Sequence, residues 1–202
     1  KEASTRQISD NVEITNLKKI IGLESGREYD SIDKLRYGQI MIMTDQDHDG
    51  SHIKGLVMLI FETLWPSLLK LNFIKSMITP IVKVSLKKQT KSFYNLSDYE
   101  DWKQSTENYK KYNIKYYKGL GTSSANEAKE YFKSMNITNY VFNENTQNKM
   151  NLAFKRDCSD LRKEWLYKYD PKNILKNESK VKIDDFIDKE FIHFSNSDTR
   201  RS

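Results

Sequence analysis

The chain has 202 residues, of which 37% are hydrophobic, 31% charged and 12% aromatic, with a formal charge of +6. That is enough for one core with an appendage, and the aromatic content excludes a disordered polymer. The single cysteine, Cys158, excludes an intramolecular disulfide and fits a reducing compartment. The longest uncharged apolar stretch, residues 56–61, is too short to cross a bilayer, and the polar N-terminus is unlike a signal peptide, so a soluble intracellular protein is expected.

In chain order, Ile8, Val12, Leu17, Ile20 and Ile21 recur at near-helical spacing and Gly22 offers a stop, which predicts an amphipathic helix. Ile40-Met41-Ile42-Met43 is a continuous apolar run that suits a strand buried on both faces of a parallel sheet. After an acidic loop, residues 53–65 read as a helix, with Pro66 marking its end or a break before Leu68-Leu69. Residues 78–84 read as a strand with which Phe93-Tyr94 could pair. Ser97 and Glu100 have capping-box spacing ahead of a short helix through Trp102. Residues 114–117 form another strand candidate leading into Lys118-Gly119-Leu120-Gly121-Thr122. Ser124 and Glu127 then repeat the capping-box spacing before a helix through Phe132.

Past Phe142 the chain turns polar, and helices are expected at residues 152–154, 161–166 and 184–194, with a break at Asp170-Pro171. Strands alternating with helices indicate an α/β sheet, where ligands gather outside the carboxyl ends of the strands. The predicted division is a sheet-bearing region at 1–142, its metal-binding core about 1–80, and a mainly helical extension at 143–202.

Asp45-Gln46-Asp47-His48-Asp49-Gly50 places three carboxylates at alternate positions directly after the apolar strand. A hard divalent cation such as magnesium or calcium would relieve their repulsion; local backbone amides could also satisfy them in a polar turn. An EF-hand opens with the same Asp-x-Asp-x-Asp-Gly but needs a preceding helix and a glutamate at its twelfth position, where this chain has Leu56. A phosphatase of the haloacid dehalogenase type would use the first two aspartates, with Asp184-Asp185 imitating its distal ligands, but that family usually has Thr or Val where Asp49 stands.

His48 and His52 lack zinc-site partners; His52, at the expected helix start, is the better phosphate contact. Lysines cluster at 87–91 and 110–118 and beside Arg162 at Lys163. They suit a polyanion, or simply a solvated lysine-rich surface. The glycines at 119 and 121 read equally as a tight turn and as a phosphate-approach loop.

The stretch Leu35-Arg36-Tyr37-Gly38-Gln39-Ile40-Met41-Ile42-Met43-Thr44-Asp45-Gln46-Asp47-His48-Asp49-Gly50-Ser51-His52-Ile53-Lys54-Gly55-Leu56 closely resembles the Asp-x-Asp-x-Asp region of type II DNA topoisomerases. Lys115-Tyr116-Tyr117-Lys118-Gly119-Leu120-Gly121-Thr122-Ser123, Arg162-Lys163-Glu164-Trp165-Leu166 and Phe194-Ser195-Asn196-Ser197 resemble later blocks, in the family's order. Gln46 and Thr122-Ser123 resemble the eukaryotic form rather than gyrase or topoisomerase IV.

The resemblance implies a Toprim-like parallel sheet flanked by helices and lacking its first strand, followed by the helical extension. It implies magnesium on Asp45 and Asp47, with Asp49 serving a second ion or its water, and with manganese or calcium able to substitute in binding. It implies double-stranded DNA as partner, touched by His52, Lys54, Lys118, Gly119, Gly121, Arg162 and Lys163. It further implies a nuclear homodimer with no membrane association, and use of ATP only through a separate ATPase domain. The family's Glu-Gly-Asp block is not in the chain and is expected upstream of Lys1; the nucleophilic tyrosine is expected beyond Ser202, since Tyr37 precedes the metal strand. The isolated chain is therefore expected to be inactive. A Toprim nuclease or primase, and a calcium-binding module, are the alternatives.

Overall fold

In the computed structural model, which describes residues 2–117, 120–176 and 178–201, the N-terminal helix is two helices, α1 (Thr5–Asp10) and α2 (Val12–Ile21). Asn11 separates them because its side chain accepts the Ile14 amide and caps α2. Gly22 ends α2 in the left-handed region at φ 85°. Strand β1 (Ile40–Ile42) follows, then α3 (His48–Leu64), which starts inside the acidic loop, five residues before the expected position. Pro66 opens α4 (Pro66–Lys70) at its first position, where a missing N–H costs nothing.

The expected strand at 78–84 forms only over its last residues, in β3 (Val82–Leu86); β2 (Ile74–Met77) precedes it, and Pro80 lies in the connection between the two. β4 (Gln89–Phe93) folds back on β3 through Lys87-Lys88, with Lys87 at positive φ, and α5 (Leu96–Ser105) is capped by Asn95 rather than through Ser97. Next come β5 (Asn113–Tyr116), α6 (Ala125–Lys133), β6 (Ile137–Val141), α7 (Thr146–Phe154) and α8 (Ser159–Tyr167). The chain ends with β7 (Lys180–Lys182), α9 (Ile183–Phe186), a π-helical turn (Ile187–Phe191) and α10 (Ile192–Arg201). The capping box on α6 is present in full: Ser124 accepts the Glu127 amide and Glu127 accepts the Ser124 amide.

Two sheets result. The larger has the order β1-β2-β6-β7, with β1 parallel to β2, β2 antiparallel to β6 and β6 parallel to β7, so it is mixed rather than wholly parallel. β1 lies at its edge, which leaves only Ile42 fully buried while Met43 is exposed. The smaller sheet, β4-β3-β5, is antiparallel and has its own core of Val82, Val84, Phe93 and Tyr99.

Packing continues across residue 142. β7 pairs with β6 at Asn139↔Lys180 and Val141↔Lys182, and Met150, Val181, Ile183, Phe186, Ile187 and Phe191 belong to the same core as Phe61, Trp65 and Phe73. Residues after 142 are mainly helical, as expected, and they also contribute β7 to the sheet and side chains to the core. No helix among the described residues is long and apolar enough to cross a membrane.

A candidate metal and phosphate site at the end of β1

β1 ends at Ile42, and five residues later Asp47 becomes the N-cap of α3: its Oδ1 accepts the Gly50 amide at 2.7 Å. This satisfies one of the orphan donors at the helix start and commits one of Asp47's two oxygens. The turn is tight enough to require glycine at position 50, since a Cβ there would lie 1.9 Å from the Asp45 carbonyl oxygen. Gln46 Nε2 donates to the Met77 carbonyl at 3.3 Å, tying the loop to the end of β2. Because residues 48–64 are helical, no twelve-residue calcium loop can run from Asp45 to Leu56.

Asp45, Asp47 and Asp49 are all exposed. They are not gathered as a set: among the described residues no group of three or more His, Cys, Asp or Glu side chains is disposed to hold a metal. Asp49 lies in the first turn of α3, and its Oδ1 is 3.8 Å from Arg201 Nη1 in an exposed pair. The donors fit magnesium, which keeps several waters and takes one or two protein carboxylates beside substrate phosphates, better than a cation that needs a closed cage. Asp45 and Asp47 are candidates for such a pair, at the carboxyl end of a strand and at the positive end of a 17-residue helix.

His52 is half-buried, its ring stacked on Phe194 with centroids 4.0 Å apart. Lys54 is turned into the protein: its side chain is 5% exposed and its ammonium pairs with Glu190. It lies on the buried face of α3, with Met58 and Phe61. Arg162 is also occupied, donating from Nε to the Leu152 carbonyl at 2.9 Å and from Nη2 to the Lys155 carbonyl at 2.6 Å, which closes the C-terminus of α7. Lys163 is exposed and paired with Asp160 at 2.8 Å. Gly121 is exposed, and a Cβ there would meet nothing within 4 Å. Lys118 and Gly119 lie outside the described residues. Asp184 accepts from Asn143 and Asp185 pairs with Lys189, so the phosphatase-like distal aspartates have structural partners.

Two residues outside the motif reading, Glu190 and His193, are prominent here. Glu190 accepts from Ser51 Oγ at 2.8 Å as well as from Lys54. Its signal in the sequence was indirect: Lys54 falls on the buried face of α3, and a buried lysine demands an acid. His193 Nε2 donates to the Asn173 carbonyl at 3.1 Å, and its Nδ1 is hydrogen-bonded with the Tyr169 hydroxyl at 2.9 Å. An open cleft of about 690 Å³ runs beside the loop, lined by Asp47, His48, Ser51, Lys54, Glu190 and His193 among others.

Beyond Tyr117, Glu127 anchors both sides of the Lys118 block. Its carboxylate accepts from Lys115 Nζ at 2.8 Å, from the Tyr117 hydroxyl and from the Ser124 amide at 2.7 Å. Burial works against its ionisation, but these hydrogen bonds outweigh burial and hold its pKa down to about 2. Burial and the bond to Glu127 push the Tyr117 hydroxyl up.

Residues 77–199 match the family described as the C-terminal associated domain of TOPRIM. The whole chain aligns with DNA topoisomerase 2 of Arabidopsis thaliana at 49% identity and with DNA topoisomerase 2-alpha of Homo sapiens at 47%, in each case spanning 14% of the relative's length. It also superposes over its full length on 28% of the crystallised DNA-binding, cleavage and re-ligation domain of Plasmodium falciparum topoisomerase II, at 40% identity and a TM-score of 0.94. A strand that ends in an acidic loop capping a helix, a core completed by the C-terminal segment and similarity along every residue agree: the chain belongs to the TOPRIM C-terminal associated family, in the form found in eukaryotic-type DNA topoisomerase II.

Proposed function

We propose that this chain is the part of an ATP-dependent type II DNA topoisomerase that presents Asp45 and Asp47 to magnesium during transient double-strand cleavage and religation. The observation that carries the reading is the junction of β1 and α3, which sets two exposed carboxylates at the positive end of a helix within a fold similar to a DNA-cleaving domain. Magnesium bound there supplies Lewis acidity at a phosphodiester oxygen. Asp47, fixed by the Gly50 amide, has one oxygen left for a ligand, and the α3 N-terminus favours the phosphate's charge. Lys163 and the exposed lysines of the small sheet add sequence-independent attraction to the DNA backbone.

In this reading the active protein is a nuclear homodimer, and its ATPase domain, general acid or base and nucleophilic tyrosine lie outside these residues. The test uses the longer protein. Asp47→Ala should lower magnesium-dependent DNA cleavage by about a hundredfold or more, since several kcal/mol of charge stabilisation are at stake. ATP hydrolysis should persist. Undiminished cleavage by that variant, or relaxation of supercoiled DNA by the 202-residue chain alone, would overturn the proposal.

A further inference from the structure

We infer that Glu190 is a positioning residue for the acidic loop: by neutralising Lys54 it keeps Asp47 available to a divalent cation. The inference rests on the metal reading above and concerns a residue outside its motif.

Lys54 stands two helical turns beyond Asp47, on the face of α3 that also carries Ser51, Met58 and Phe61. With 5% of its side chain exposed, its charge cannot be solvated and must be met by an anion. Among the described residues the cleft beside the loop is lined by two carboxylates, Asp47 and Glu190. Glu190 is the one that meets the ammonium. Its Oε1 also accepts from Ser51 Oγ at 2.8 Å, and the same hydroxyl lies 3.2 Å from the carbonyl oxygen of Asp47. A path of polar contacts therefore runs from residue 190 to the N-cap of α3.

The backbone at Glu190 is adapted to this contact. Residues 187–191 form a π-helical turn between two α-helical segments, and a π turn shifts the helical face by one residue. Phe191, next to Glu190, packs so closely on α3 that a Cβ at Gly55 would lie 2.7 Å from its ring. The shift thus lets an apolar ring and a carboxylate reach α3 from consecutive positions. Without Glu190, Asp47 is the carboxylate left lining the cleft with Lys54, and the ammonium would compete with the metal for it.

The experiment titrates the 202-residue chain with Mn²⁺, following free ion by electron paramagnetic resonance and recording a thermal melt of each variant. Glu190→Gln is expected to weaken binding about ten- to a hundredfold, the range for groups that support a metal ligand without touching the metal. Lys54→Met/Glu190→Gln removes both charges and is expected to restore wild-type binding, an effect that loss of packing alone would not produce. If the single variant does not fold, the double variant decides: wild-type binding supports the inference and weak binding overturns it. Wild-type affinity in folded Glu190→Gln, or a double variant as weak as the single one, overturns the inference alone. Absence of Mn²⁺ binding by the wild-type chain overturns the metal reading, and this one with it.

Discussion

At the scale of single residues, two side chains do opposite things with their oxygens. Asp47 commits one oxygen to the Gly50 amide and has a second, exposed one, which is what a metal ligand requires. Glu127 accepts from Lys115, Tyr117 and Ser124 together, so its carboxylate is structural. The consequence is a pH dependence with a definite sign. The folded pKa, about 2, lies below the ordinary 4.5, so the stability that Glu127 contributes is complete above about 4.5 and is lost as pH falls towards 2. Thermal melts across that window should show Glu127→Gln losing less of its stability on acidification than wild type does. Parallel acid limbs for the two proteins would refute the assignment. Spacing alone made the Ser124–Glu127 box legible, whereas the bonds from Lys115 and Tyr117 needed the neighbouring strand.

At the scale of elements, the adjacent pair Arg162 and Lys163 separates support from surface charge. Spacing presents both as exposed cations of α8, and the family resemblance makes both DNA contacts. In the fold Arg162 holds the last carbonyls of α7, while Lys163 faces solvent with Asp160. Arg162→Ala should cost about 1–3 kcal/mol in urea unfolding, the worth of two ordinary hydrogen bonds, because the pair is partly open to solvent. Lys163→Ala should leave the unfolding curve unchanged and reduce the salt slope of DNA binding by about one unit. The reverse pattern would show that the two roles are exchanged. The same logic explains why α3 begins earlier than its apolar pattern: an N-cap needs an oxygen, and Asp47 supplies it before the first apolar residue arrives.

At the scale of the molecule, the polar composition after residue 142 concealed part of the main core. Met150, Val181, Ile183, Phe186, Ile187 and Phe191 are buried in the main core, and β7 pairs with β6. At about 1.5–3 kcal/mol for each large apolar side chain, their loss approaches or exceeds the 5–15 kcal/mol net stability of an ordinary domain. A chain of residues 1–142 should therefore give no cooperative melt and poorly dispersed amide resonances. A cooperative transition equal to that of the whole chain would support a boundary at 142.

The amino-acid sequence by itself determined the acidic loop, its place between an apolar strand and a helix, and the family to which these residues belong. Those features are local: a strand period, an N-cap and a run of motif residues all lie within a few positions of one another. Long-range packing is what sets Lys54 against Glu190 and Arg162 on the α7 carbonyls, adds β7 to the sheet, and brings Glu190 beside the acidic loop. Ser51 and Glu190 are separated by 139 positions, and a hydrogen bond across that distance leaves no periodic trace in either segment. What remained readable was the demand, a lysine on a buried face; the fold chose which acid would meet it.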